Sequence, residues 1–122
     1  SRGLGDVYKR QEYYMVDDAD LLVIAYGTNA TAARVAVDEA RSKGIKVGMF
    51  RPITVWPFPE AQVCDLSKKF KKIIVSEINL GQMLYEVQRA VKGNSEIFTV
   101  LLAAGVPIRP QQILEKIEEV SK

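Results

Sequence analysis

The run Leu21–Tyr26 (LLVIAY) is almost continuously apolar and only six residues long. A strand of this kind has no solvent face, so it must be covered from both sides. That demand constrains the chain more than any other feature, because a strand buried on both faces belongs in the middle of a helix-covered parallel sheet. The rest of the sequence follows suit. Gly27 breaks the run, and Thr28 or Asn29 is placed to cap a helix. In that helix Ala33, Ala36, Val37 and Ala40 recur at i, i+3, i+4 and i+7 and mark one buried face. Arg34/Asp38 and Glu39/Lys43 stand at i,i+4 on the opposite side, and Gly44 is a natural stop.

Three more strand–helix units are read in the same way. Lys46–Arg51 is the second strand, followed by Pro52, Pro57 and Pro59, which oppose regular pairing. A helix from near Pro59 carries Val63, Leu66 and Phe70 on one side and ends in Lys68, Lys69, Lys71 and Lys72, where cations suit the helix dipole. Lys72–Glu77 is the third strand. The next helix, Gly81–Val91, turns Leu84, Val87 and Val91 inward and stops at Gly93. Glu96–Leu101 is the fourth strand, and Pro110 opens a last helix with the stripe Ile113, Leu114, Ile117 and Val120. Alternating βα units predict a three-layer α/β/α fold with an open, mostly parallel sheet and right-handed crossovers. Glu12–Val16 is placed to add an edge strand.

The first eleven residues, SRGLGDVYKRQ, resemble the in-frame translation of a transposase-type sequencing adapter. Ser1–Gln11 is therefore expected to be non-native and disordered, with residues 12–122 forming a single domain from a longer subunit. The chain has 17 Lys+Arg against 15 Asp+Glu, but Ser1–Gln11 contributes Arg2, Lys9 and Arg10 against Asp6 alone. Without that segment the charges balance, so no nucleic-acid or membrane partner is inferred from basicity. No apolar run reaches the ~20 residues of a membrane helix. The chain has one cysteine, Cys64, and no histidine. An internal disulfide, a His-based triad and a four-thiolate iron–sulfur site are thereby excluded.

Several segments bear on function. Arg51 closes a strand before Pro52 and reads either as a guanidinium anchor for a neighbouring protein surface or as a surface arginine. Trp56 and Phe58 sit on a loop stiffened by Pro57 and Pro59, suited to docking at low ordering cost or to folding back on the core. Glu77, Asn79 and Gln82 flank the carboxyl end of the third strand, where open α/β sheets bind ligands. A hydrogen-bonded turn is the simpler reading there. Gly27-Thr28-Asn29 is too poor in glycine for a dinucleotide or phosphate loop.

The stretch from Val23 to Val63, above all Arg51-Pro52-Ile53-Thr54 and Trp56-Pro57-Phe58-Pro59, together with Glu77-Ile78-Asn79-Leu80-Gly81-Gln82-Met83, resembles the last domain of 2-oxoacid:ferredoxin oxidoreductase α subunits of the 2-oxoglutarate or branched-chain type. The resemblance implies a transketolase C-terminal-like fold with sheet order 2-1-3-4, counting the four parallel strands, and an added antiparallel edge strand. It implies that the holoenzyme converts a 2-oxoacid and coenzyme A to acyl-CoA and carbon dioxide and reduces ferredoxin. It also implies thiamine diphosphate and iron–sulfur clusters held by other domains and by a thiamine-binding β subunit, in the cytoplasm. No catalytic, cofactor or metal residue is expected in this chain. Arg51, Trp56, Phe58, Glu77, Asn79 and Gln82 are the expected interface residues. Relatives carry aromatic-Gly-Arg-x-Gly-Gly after the last strand, whereas this chain reads Leu101-Leu102-Ala103-Ala104-Gly105-Val106-Pro107. The equivalent domain of transketolase or a pyruvate dehydrogenase β subunit, and a flavodoxin-like ligand-binding domain, are the alternatives.

Overall fold

The computed structural model describes residues 11–25, 28–52, 60–78, 82–102 and 109–121. For Gln11, Thr28, Asn29, Glu77, Ile78, Gln82, Met83, Leu101 and Leu102 it describes the backbone alone. The elements run β1 (Gln11–Tyr14), β2 (Leu21–Ala25), α1 (Thr28–Ser42), β3 (Val47–Pro52), α2 (Glu60–Lys69), β4 (Lys72–Ile78), α3 (Gln82–Val91), β5 (Glu96–Leu102) and α4 (Pro110–Ser121). The sheet order is β1-β3-β2-β4-β5, with β1 antiparallel to β3 and the other pairs parallel. The parallel part is the order expected, and the added antiparallel strand is present at the predicted edge.

Small differences from expectation have local causes. Strand β1 opens at Gln11, one residue inside the segment set aside as adapter-like; residues 1–10 lie outside the described residues. Helix α1 already includes Thr28, so Asn29 stands inside it and not at a cap. Pro52, expected to break pairing, is the last residue of β3 and faces Gln11 in the antiparallel register, while the parallel register with β2 runs only to Phe50. A proline without an N–H is tolerated at such an end.

Side-chain alternation divides the core in two. Leu21, Val23 and Ala25 join Val47, Met49, Ile74 and Val100 under α1 and α4. Leu22 and Ile24 join Phe50, Ile73 and Val75 under α2 and α3. All four helix stripes predicted from periodicity point inward, with Leu84 and the half-buried Cys64 at their margins. Helix α1 ends in a Schellman motif: Ile45 N–H donates to Ala40 O and Gly44 N–H to Arg41 O, both at 3.0 Å, with Gly44 at φ 88°. Helix α4 starts with a reciprocal cap, Arg109 N–H donating to Gln112 Oε1 at 2.8 Å and Gln112 N–H to Arg109 O at 3.0 Å. Pro110 follows as N1, where its missing donor costs nothing. No described helix is long and apolar enough to cross a membrane.

Gly48 sets how closely the β1–β2 connection lies on the sheet. A Cβ there would stand 2.8 Å from Met15 O and 2.9 Å from Val16 Cα, both backbone atoms. We expect Gly48→Ala to destabilise the domain by about 1–3 kcal/mol, the usual cost of overpacking. Urea unfolding followed by circular dichroism measures the change; an unaltered midpoint would contradict this packing.

Candidate interface site at the carboxyl edge of the sheet

Strands β2 to β5 all end on one side of the molecule. The chain runs outward from β2 to β3 and then returns across β2 to β4, so the switch point lies between the carboxyl ends of β2 and β4. There Ala25 is in register with Ser76, which is fully buried. The connections leaving this edge, residues 26–27, 53–59, 79–81 and 103–108, lie outside the described residues, and with them Trp56, Phe58 and Asn79. The backbone of Glu77 is the sixth residue of β4, opposite Leu101, and Gln82 opens α3 after the β4–α3 connection.

Arg51 is the expected interface residue whose side chain is described. It is in register with Glu12 of the antiparallel edge strand, and its Nη1 lies 3.3 Å from Glu12 Oε1. The two side chains are 36% and 48% exposed. An ion pair this open contributes only about 0–1 kcal/mol. Arg51 Nε is buried and has no hydrogen-bond partner among the described residues. The guanidinium is thus steered by Glu12 without being saturated, and its remaining N–H groups suit a carboxylate or carbonyl oxygen. The neighbouring pair is aromatic: Tyr13 lies against Phe50 with ring centroids 5.0 Å apart, and Tyr13 is 49% exposed. Among the described residues no group of three or more His, Cys, Asp or Glu could hold a metal.

Sequence reasoning missed the opposite, amino edge, where the fold is locked. Arg41, near the end of α1, donates from Nε to Val47 O at 2.8 Å and from Nη2 to Met15 O at 2.7 Å and Asp18 Oδ1 at 2.8 Å. One guanidinium therefore joins α1, β3 and the β1–β2 connection. Lys69 Nζ donates to Val16 O at 2.8 Å, and Lys72 Nζ to Val120 O at 3.2 Å. Two members of the lysine run are therefore bound to carbonyls, not simply solvated. Ser95 Oγ sits between Ser67 O, at 2.9 Å, and Phe70 O, capping the end of α2. Lys43 pairs with Glu118 of α4 at 2.8 Å instead of with Glu39 one turn away. Asp38, placed for Arg34, accepts from Tyr14 Oη at 2.5 Å, and Arg34 lies 4.4 Å from the centre of the same ring. An open cleft of about 370 Å³ is found on this edge too, between Asp20, Gly44, Lys46, Lys72 and Ser121. A positively charged side chain with several backbone acceptors leaves no periodic mark, so only Arg41's place in the last turn of α1 hinted at its role.

Comparison with known proteins places this geometry. Residues 19–113 match the family model described as pyruvate:ferredoxin oxidoreductase core domain II. The chain is 43% identical over 101 residues to the 2-oxoglutarate synthase subunit KorA of Methanothermobacter marburgensis, covering 83% of this chain and 27% of that protein. It is 39% identical over 112 residues to the ketoisovalerate oxidoreductase subunit VorB of Methanothermobacter thermautotrophicus, covering 92% and 32%. Among solved structures, the 2-oxoglutarate:ferredoxin oxidoreductase from Magnetococcus marinus, with 2-oxoglutarate, coenzyme A and succinyl-CoA bound, superposes with a TM-score of 0.78 at 25% identity, covering 99% of this chain and 21% of that one. A split-gene transketolase shares the fold alone, with a TM-score of 0.70 at 10% identity over 88% of this chain and 40% of that one. The chain spans about a quarter to a third of the length of these curated relatives.

The Arg41–Asp18 contact makes stability depend on pH. Its hydrogen bond from Arg41 holds the Asp18 carboxyl below its ordinary value of 3.8. A folded-state pKa below the unfolded one gives stability that is present above pH 3.8 and lost as pH falls through the lower folded value. Asp18→Asn should therefore lower the urea midpoint at neutral pH and leave it unchanged once both forms are uncharged in strong acid. A deficit that persists undiminished in acid would contradict this origin.

Proposed function

The chain belongs to the pyruvate:ferredoxin oxidoreductase core domain II family, and from that premise we propose that it is a structural and interface domain of a 2-oxoacid:ferredoxin oxidoreductase α subunit. The observation that carries this reading is the family match over residues 19–113 in a chain with one cysteine and no histidine. Such a chain lacks the thiolates of an iron–sulfur site and the usual imidazole acid–base groups. The chemistry belongs to the assembled enzyme: a 2-oxoacid and coenzyme A yield acyl-CoA and carbon dioxide, and the electrons pass to ferredoxin. Thiamine diphosphate, iron–sulfur clusters and coenzyme A serve that reaction on other domains and on a thiamine-binding β subunit, in the cytoplasm. Residues 12–122 act as one domain within the subunit.

In this reading the carboxyl edge meets the neighbouring protein. Arg51 supplies a guanidinium only partly compensated by Glu12. Trp56 and Phe58 provide apolar anchors on the proline-stiffened loop, and Glu77, Asn79 and Gln82 provide polar contacts after β4. The relatives act on 2-oxoglutarate or ketoisovalerate by name, and the substrate here is a 2-oxoacid of that class.

Buried aromatic and arginine anchors carry interfaces at about 2 kcal/mol or more each, roughly thirtyfold in affinity. In the complete subunit, Trp56→Ala or Arg51→Ala should weaken association with the β subunit by that order, read by co-purification and analytical gel filtration. Unchanged assembly with both variants would set the interface reading aside.

A further inference from the structure

The two edges of the sheet are built differently. Strand β1 is four residues long and carries Glu12, which is paired with Arg51. Strand β5 is seven residues, Glu96–Leu102, and is the last strand of the sheet. All seven residues are in register with β4, from Lys72↔Glu96 to Ile78↔Leu102. Ile97, Phe98 and Thr99 are only half-buried, whereas their partners Ile73, Ile74 and Val75 are completely buried. Glu96 is the one charged residue in β5, and proline and lysine are absent from it. Sheet edges are normally blunted by shortness, charge, proline or a bulge. Along its length β5 has none of the first three, and its Ile, Phe, Thr and Val residues favour extended pairing.

We propose that β5 is an interaction edge for a second copy of this chain, pairing antiparallel with its own equivalent about a twofold axis normal to the sheet. The strand is self-complementary in one register. Centred on Thr99, all seven residues of each copy are paired: Glu96 faces Leu102, Ile97 faces Leu101, Phe98 faces Val100, and Thr99 faces Thr99 of the other copy. Directly opposed residues lie on the same face of the sheet, so each helix layer continues on its own side. Like charges are not opposed, because the two Glu96 carboxylates lie at the far ends of the ribbon, about 20 Å apart. Any slip leaves backbone N–H and C=O groups unpaired at the ends. The proposal rests on the strand alone and stands independently of the enzyme to which the domain is assigned.

Sedimentation of the 122-residue chain tests it. Wild type should give a concentration-dependent dimer. Thr99→Lys and Thr99→Glu each set like charges face to face at the twofold axis and should each give monomers. Mixing the two variants should restore the dimer. Hydrogen exchange on wild type gives a reading that needs no variant: protection of Glu96–Leu102 should rise with concentration. A monomeric wild type, a folded variant that remains dimeric, or concentration-dependent protection confined to another segment such as β1 would overturn the proposal.

Discussion

A strand with no solvent face needs two covers, and Leu21–Ala25 obtains them from helices on either side of the sheet. Full burial of an aliphatic side chain is worth roughly 1.5–3 kcal/mol, so these residues draw α1 and α4 to one face and α2 and α3 to the other. The remaining topology follows from their central position. Strands β3 and β4 flank β2, and right-handed crossovers require the intervening helices to alternate between faces when the chain changes direction. That same reversal creates the crevice between the carboxyl ends of β2 and β4.

Stability and function are separated along the strand direction. The amino edge collects the hydrogen bonds that lock elements to one another: Arg41 to Val47, Met15 and Asp18, Lys69 to Val16, Lys72 to Val120, and Ser95 to the end of α2. Helix carboxyl ends lie there, so cations are electrostatically welcome and carbonyls are in supply. The carboxyl edge holds Arg51, steered by Glu12 while its Nε is left without a described partner. A side chain with unused donors is a poor fold stabiliser and a good recognition element. On this view the domain is secured at one end and presented at the other.

How much of this was readable from the chain depended on periodicity. The buried faces of α1 and α4, the two-sided burial of β2 and the parallel order all follow from spacing that repeats every two or 3.6 residues. Gly44 and Gly93 were readable as stops, since a positive φ asks for glycine; both adopt it, at 88° and 82°. Contacts that depend on three-dimensional proximity were not readable. Lys43 reaches Glu118, 75 positions away, and Tyr14 reaches Asp38 across the sheet edge, although an acceptable i,i+4 partner existed for both Lys43 and Asp38. Helix-surface pairs are worth only a few tenths of a kcal/mol, so a tertiary partner readily displaces them. At the candidate site, Arg51 was readable by its place before Pro52, but the register that brings Glu12 against it was not.

Ligand titration of the isolated chain tests the central claim most directly, because an interface domain and a self-sufficient binding domain differ in it without further assumption. Thiamine diphosphate, coenzyme A and flavin mononucleotide, each followed by calorimetry, should produce no binding heat. Micromolar affinity for any of them would contradict the account and make the carboxyl edge a ligand site in its own right.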